Sequence, residues 1–347
     1  MSLFQFAFSG IAAVCTWGLC ASSQVAAAEP VAIAGRAMGT TWTVKFLPPE
    51  NRLRTIELEQ RIVDRLEQLE RIFSTYRPSS ELSKFNATGG TGWVGVSPEL
   101  AAVAGQARRI SERTRGAFDV TVDPLIRMWG FGPEGRRSTL PTPQEIAATR
   151  LRVDWRQLEA RTDPPAIRRA RAGVTADFSS IAKGYSADAV GRLLTDLGAF
   201  NHFVQIGGDI KTGGTGPAGN GWRTGVETPA YARRTVARVV MLSGQALSTS
   251  GDYQNFIADR DKRFGHIINP LTGRPAGSEL ASVSVIDSSC STSSALATAL
   301  FVLGPDDGWE VAAKEKLACL FFLRAAKGPG FVQRPTPEFE KLISPPR

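Results

Sequence analysis

Cysteine is scarce in this chain of 347 residues and histidine scarcer still, with four of the first and two of the second. Two of the cysteines, Cys15 and Cys20, sit in the opening apolar stretch, so the remainder carries only Cys290 and Cys319. No Cys-x-x-Cys pair occurs, and His202 and His266 are the only imidazoles, which argues against a zinc centre of thiolates and imidazoles. A dense disulfide framework is excluded as well; two thiols allow one bridge, and their spacing does not say whether it forms. No glycine fingerprint of the Rossmann type, set between a strand and the helix it opens, and no P-loop pattern appears, so any nucleotide is held by another architecture. No internal repeat is evident. No long polar tract interrupts a composition of 42% hydrophobic and 21% charged residues, which is that of a globular chain rather than a disordered one. The length allows one large domain or two moderate ones, with a sizeable core.

The 41 Lys and Arg residues outnumber the 33 Asp and Glu, for a formal charge of +8 and a pI of about 9.6. That excess is scattered, with small clusters at Arg136-Arg137, Arg168-Arg169-Ala170-Arg171 and Arg233-Arg234 and no basic stripe interleaved with aromatics. Nucleic acid is therefore not an expected partner. A generally basic surface accounts for the charge, and a phosphate-rich small ligand would suit the same field.

Residues 1–28 contain no Lys, Arg, Asp or Glu. They run apolar through Phe4–Phe8 and Ile11–Cys20, then end in Ala26-Ala27-Ala28, which reads as a cleavable signal peptide lacking its usual basic start. The apolar run is short and interrupted by Ser and Gly, unlike a membrane span. Val14 and Leu19 precede the two early cysteines where a lipoprotein anchor wants a small residue. Residues 29–347 then form the working domain.

Along that domain Val31–Arg36 and Thr40–Phe46 read as strands joined by a turn at Gly39. Ile56, Ile62, Leu66, Leu69 and Ile72 recur at helical spacing within Arg52–Ile72. Ser97-Pro98 opens a second helix as N-cap and first helical residue, closed near Arg115 by Gly116 as the C′ glycine. Gly130–Thr142 and Arg161–Arg171 read as irregular. A helix starts near Ser179-Ser180, and short β-runs follow at Phe203–Ile206, Trp222–Val226, Thr235–Met241, Phe264–Ile268 and Ala281–Ile286. Ser291–Leu303 and Asp306–Lys314 return to helix before a strand at Leu317–Leu323. Without regular strand–helix alternation this is an α+β fold.

Several segments carry chemistry-bearing residues in turns and at helix starts. They are Met38-Gly39-Thr40, Phe73–Pro78 with Ser80-Glu81-Leu82-Ser83, Gly116-Ala117-Phe118-Asp119, Asp177–Asp188 (DFSSIAKGYSAD) and Ile206-Gly207-Gly208-Asp209. Ser248–Tyr253 (STSGDY), His266–Gly273 (HIINPLTG) and Ser294–Gly304 (SALATALFVLG) complete the set. Read from the residues, each has two meanings. Met38-Gly39-Thr40 joins two strands or faces a ligand, and Tyr76 is a core aromatic or a stacking platform. Asp177 is an N-cap or a ligand contact. Lys183 is a solvated helix charge, or with the helix start it grips a diphosphate. Gly207-Gly208-Asp209 is a tight strand connection or part of a site. Ser248-Thr249-Ser250-Gly251 lines a phosphate pocket or makes a turn. His266 is structural or the general base for a hydroxyl nucleophile.

Taken together and in this order, these segments resemble the ApbE family of FAD:protein FMN transferases, from about residue 31 to the C-terminus. The resemblance implies an α+β fold of mixed helices and mostly antiparallel sheet, not Rossmann. It implies that FMN is moved from FAD to a threonine of an acceptor flavoprotein in a membrane electron-transfer complex, with AMP released, and that the chain works in the periplasm. It places Met38, Tyr76, Ala117, Phe118, Asp119, Asp177, Lys183 and Ile267 around FAD, with His266 and Lys183 as the catalytic pair. It also implies Mg2+, held by the Ser180 carbonyl and by the side chains of Ser294 and Thr298 at i, i+4 on one helix face. Two positions depart from the family pattern. Ser294 stands where an Asp ligand is expected, and Asn269 where Asp is usual; Asp287 is near enough in sequence to lean toward the metal. The missing acid keeps two other readings open: a flavin carrier or assembly factor without transferase activity, and an FAD pyrophosphatase.

Overall fold

The computed structural model describes residues 29–48, 55–230, 235–253, 256–259, 262–277, 279–328 and 330–343. The expected signal peptide, residues 1–28, lies outside them. Eight strands assemble into one antiparallel sheet whose spatial order follows the chain: β1 (Val31–Ala37), β2 (Thr40–Phe46), β3 (His202–Ile206), β4 (Asp209–Gly213), β5 (Ala246–Gly251), β6 (Leu280–Asp287), β7 (Ala318–Arg324) and β8 (Phe331–Pro335). Two of its hairpins have two-residue loops. Ala37 pairs with Thr40 across Met38-Gly39, and Ile206 with Asp209 across Gly207-Gly208. All four loop residues have positive φ, as a primed turn requires to match the strand twist.

The long excursion between β2 and β3 carries α1 (Thr55–Phe73), α2 (Glu81–Ala87), α3 (Pro98–Arg113), α4 (Asp123–Met128), α5 (Pro143–Arg150) and α6 (Ser179–Asp196). It also holds a three-stranded sheet of Val94–Gly95, Leu158–Thr162 and Pro165–Arg169. Arg161–Arg171, expected to be irregular, thus contributes a hairpin to that sheet. Between β6 and β7 lie α7 (Cys290–Leu303) and α8 (Asp307–Lys314). A ribbon of Trp222–Glu227 and Val236–Leu242 covers the opposite face, burying Val226, Val240 and Leu242 against Ile210, Leu247 and Phe322.

Helix α1 buries Leu58, Ile62 and Leu66 against Trp42, Val44 and Val204, while Ile56, expected on that stripe, is 69% exposed. Ser97 caps α3 through Leu100 N at 3.3 Å, with Pro98 first in the helix. At its far end Arg115, not Gly116, is the first left-handed residue, so the expected C′ glycine is one place late. The expected strand Phe264–Ile268 is two short strands, Lys262–Gly265 and Ile268–Asn269, broken at His266. Cys290 and Cys319 are both buried and free. No helix among the described residues is long and apolar enough to cross a membrane.

Helix α7 is apolar nearly all round and lies inside the molecule between the sheet and α6, as such a helix must. Two features of the Asp177–Asp188 segment seat it. Asp188 accepts hydrogen bonds from Cys290 N (2.9 Å), Ser291 N (3.0 Å) and Ser289 Oγ (3.0 Å), satisfying the otherwise orphaned amides of the first turn of α7. Gly184 lets the backbones touch: a Cβ there would lie 2.3 Å from Cys290 O and 2.7 Å from its carbonyl carbon. By contrast, a Cβ on Gly105 in α3 would meet only the Arg109 guanidinium, at 3.7 Å.

The same substitution should therefore act with opposite sign at the two glycines. Gly105→Ala is expected to stabilise by about 0.5–1 kcal/mol through helix propensity. Gly184→Ala is expected to destabilise by roughly 1–3 kcal/mol through overpacking against backbone. Chemical denaturation of the two variants beside the parent reads both; an unchanged or raised midpoint in Gly184→Ala would contradict the close crossing.

Candidate functional site

The site grows from the crossing of α6 over α7. Ser294, on the first half of α7, places its Oγ 3.0 Å from the Ser180 carbonyl oxygen and 3.1 Å from Asp209 Oδ2. One turn on, Thr298 Oγ1 donates to Ser294 O at 3.2 Å and lies 3.1 Å from Ser250 Oγ. The three residues expected at a metal, Ser180, Ser294 and Thr298, are thus gathered at one spot. Asp209 joins them. Burial pushes its carboxyl pKa up, opposed by the positive charge of Lys183 and by hydrogen bonds from Ser248 and Ser294. Asp287 is elsewhere, accepting from Ser289 N at 2.9 Å before the start of α7.

Ser248-Thr249-Ser250-Gly251 is strand β5 rather than a turn, and alternation sorts its hydroxyls. Ser248 and Ser250 reach α7 at Ser293 (2.9 Å) and Thr298, while Thr249 pairs with Ser284 across the sheet at 2.7 Å.

Both glycine-containing turns face this cluster. A Cβ on Gly207 would lie 3.0 Å from Lys183 Cδ and 3.0 Å from Thr40 Cγ2, so the lysine stem crosses that turn beside the β1–β2 hairpin. Lys183 Nζ donates to Ser179 O at 3.1 Å, and its charge also acts on Asp177. Asp177 accepts from Ser179 N at 2.6 Å, tying down the first turn of α6 as an N-cap would, and burial raises its carboxyl pKa. Met38 stands in the left-handed region at φ +52°, an uncommon setting for a non-glycine residue, and its amide donates to the Glu70 carboxylate. Glu70 in turn pairs with Arg77, linking the hairpin to the loop that bears Tyr76.

Tyr76 is 68% exposed, so it is not a core aromatic. Its hydroxyl reaches Phe131 O at 3.5 Å. Partial desolvation, with the nearby Asp177 charge second, raises its phenol pKa. Phe131 packs edge-on to His266, with ring centroids 6.4 Å apart. Tyr76, Phe131 and His266 thus make an aromatic rim near Asp177. Ile267, beside His266, is buried in the same core cluster as Ala182 and Leu296, from the two crossing helices.

Ala117 and Phe118 are in that core too, each 1% exposed. The Ala117 amide donates to Thr114 O (3.0 Å) and the Phe118 amide to Thr114 Oγ1 (3.2 Å). Asp119 accepts from Thr121 N and Oγ1 (both 2.7 Å) and Trp155 N (3.0 Å), and burial raises its pKa to about 6. Its carboxylate fastens the 3-10 turn Val120–Val122 to the Trp155 loop. Asn269 Oδ1 accepts from Leu271 N (2.8 Å) and Thr272 N (3.2 Å), an Asx turn that Asn forms as well as Asp. That departure from the family pattern therefore has a local structural account.

A groove of about 710 Å³ is lined by Asp123, Arg127, Arg137, Glu145 and Arg152 among others, and includes none of the expected site residues. Two of its arginines are already paired, Arg127 with Asp123 at 2.9 Å and Arg137 with Glu145 at 2.8 Å. The convergence at α6 and α7 is the better chemical site.

Comparison with known proteins agrees with the geometry. The family model described as ApbE family matches residues 38–321. An FAD:protein FMN transferase of Vibrio cholerae is 35% identical over 322 residues, covering 91% of this chain and 94% of that protein. One from Haemophilus influenzae is 36% identical over 317 residues, covering 90% and 91%. Among solved structures, the flavin transferase ApbE from Vibrio cholerae superposes with a TM-score of 0.82 at 34% identity, covering 90% of this chain and 99% of that one. The apo flavinyl transferase ApbE of Pseudomonas stutzeri gives 0.82 at 34% identity, covering 91% and 97%. With the sheet, the helix crossing and the sequence all in agreement, this chain belongs to the ApbE family.

Proposed function

We propose that this chain is an FAD:protein FMN transferase. The observation that carries the reading is the convergence of Lys183, the Ser180 carbonyl, Ser294 and Thr298 at the α6–α7 crossing, beside the hairpin of Met38 and within a family whose relatives bear that activity. A threonine hydroxyl of the acceptor attacks the FMN-side phosphorus of FAD. A new P–O bond forms to threonine, the bridging P–O bond to the AMP half breaks, and AMP departs with that oxygen. Such a reaction asks the protein mainly to align groups and to neutralise charge.

His266, on the bend between two short strands and held edge-on by Phe131, is placed to take the hydroxyl proton. Lys183 brings positive charge to the diphosphate. Tyr76 and Met38 offer an exposed ring and a polarizable thioether to the flat isoalloxazine. The donor set at Ser180, Ser294 and Thr298 consists only of oxygens, which suits a hard dication of the Mg2+ type. Bound there, the ion would draw negative charge from the phosphates and leaving group. The leader at residues 1–28 is proposed to send the chain to the periplasm, where its acceptor would be a flavoprotein of a membrane electron-transfer complex.

Purified protein mixed with FAD, Mg2+ and a candidate acceptor should give in-gel flavin fluorescence on the acceptor. Free FMN and AMP without label would instead indicate a pyrophosphatase, and intact bound FAD a carrier. His266→Ala is expected to lower the transfer rate by about 10²–10⁴ while FAD still quenches on binding. Lys183→Ala is expected to cost about 10²–10³ and to weaken FAD binding as well. Wild-type rates in both variants would remove these two residues from the chemistry.

A further inference from the structure

The α7 position that should carry a metal-binding acid is Ser294, yet the site is not without a carboxylate. Asp209 begins β4, directly after the Gly207-Gly208 loop, and is 5% exposed. Its Oδ2 is 3.1 Å from Ser294 Oγ, which is 3.0 Å from Ser180 O. Ser294 has one hydroxyl proton for two acceptors, so at any moment the carbonyl or the carboxylate goes without it. Three oxygens spaced in this way match the coordination shell of a small dication: Mg2+ holds oxygens at about 2.0–2.1 Å in an octahedron, setting adjacent ligands about 2.9 Å apart. Near Asp209 the described cation is Lys183, whose stem runs over Gly207.

We infer that Asp209 supplies the acidic metal ligand in this chain, with the Ser180 carbonyl and the Ser294 and Thr298 hydroxyls completing the protein's share of the shell. The carboxylate then comes from the strand facing the helix and not from the helix itself. The hydroxyl of Ser294 then turns its lone pairs, rather than its proton, toward the ion. This inference rests on the flavin-transferase reading only in expecting a dication at the site.

Mn2+ serves as the probe, titrated into the full chain and followed by the electron paramagnetic resonance signal of the free ion, with no acceptor present and with FAD absent or bound. Asp209→Asn keeps the shape of the side chain and is expected to weaken Mn2+ at least tenfold. Asp287→Asn is expected to leave it unchanged. Adding Ser294→Asp to Asp209→Asn exchanges one carboxylate for another and should recover affinity to within a few-fold of the parent. Mn2+ binding at parental affinity in a cooperatively folding Asp209→Asn would overturn the assignment. Should that variant fail to fold, the unmodified protein still decides: stoichiometric Mg2+ should shift a carboxylate band in the infrared difference spectrum, and its absence overturns the assignment equally. FAD quenching of the metal-free parent is read separately. A parent that binds Mn2+ but ignores FAD sinks the flavin reading and leaves the Asp209 site standing.

Discussion

Nearly everything at the site depends on one close contact, the passage of α6 over the N-terminal end of α7 at Gly184. A side chain there would collide with the Cys290 carbonyl, and Asp188, one turn further along α6, collects the amides that open α7. The two devices are complementary. Glycine removes the steric barrier to contact, and the buried carboxylate supplies an attraction directed at a helix N-terminus. Because α7 is apolar on most sides, it could otherwise slide in the core at little cost. The Asp188 bonds fix its register, and the register sets Ser294 opposite Ser180. The string from Asp177 to Asp188 thus has two parts: Asp177 ties down the first turn of α6, while Gly184 and Asp188 hold α7 against it.

The two-residue hairpins do for the strands what Gly184 does for the helices. With no loop residue to spare, Thr40 and Asp209 are both first residues of strands leaving turns on the same end of the sheet. Gly207 lies against the side chains of Thr40 and Lys183, so the two turns and the helix meet where the glycine leaves room for them. Met38 is the exception, a non-glycine residue in a left-handed position. Its amide is held by Glu70, itself paired with Arg77 beside Tyr76. The two-residue turn demands that backbone state, and the Glu70–Arg77 pair anchors the residue that adopts it.

How much of this could be read in advance follows from how far apart the interacting residues are. Helices α1, α3, α6 and α7 and most strands of the main sheet were legible because their signals are local: apolar periodicity, and a cap such as Ser97-Pro98. The hairpin Leu158–Thr162 and Pro165–Arg169 was not, since its arginines read as solvated. Yet Arg169 is 1% exposed, with its guanidinium turned onto the carbonyls of Phe85 and Thr88 at the end of α2. Motif order made the family legible, and the structure gathers Ser180, Lys183, Ser294 and Thr298 at the α6–α7 crossing. Asp209 as a partner of the metal-site serine was not, because it and Ser294 are separated by 85 residues and meet only through the packing of β4 against α7. Sequence proximity pointed instead to Asp287, which spends its carboxylate on Ser289.

The replacement of an acid by Ser294 then has a physical consequence that reaches beyond metal affinity. An aspartate at that position would put a second carboxylate within a few ångströms of buried Asp209. Two such charges in a low-dielectric setting repel strongly, or one of them keeps its proton, until a cation arrives. A serine removes that conflict and puts a hydrogen-bonding hydroxyl beside Asp209 instead. Lys183 and Asp188 both act on the buried Asp209 carboxyl, the lysine lowering its pKa and the second acid raising it. On the metal-site reading proposed above, a one-acid pocket would exchange grip on a dication for less repulsion when none is bound. The charge an ion supplies least securely falls to the lysine. If a dication binds here as proposed, the diphosphate of the dinucleotide would bring the negative charge that Ser294 does not.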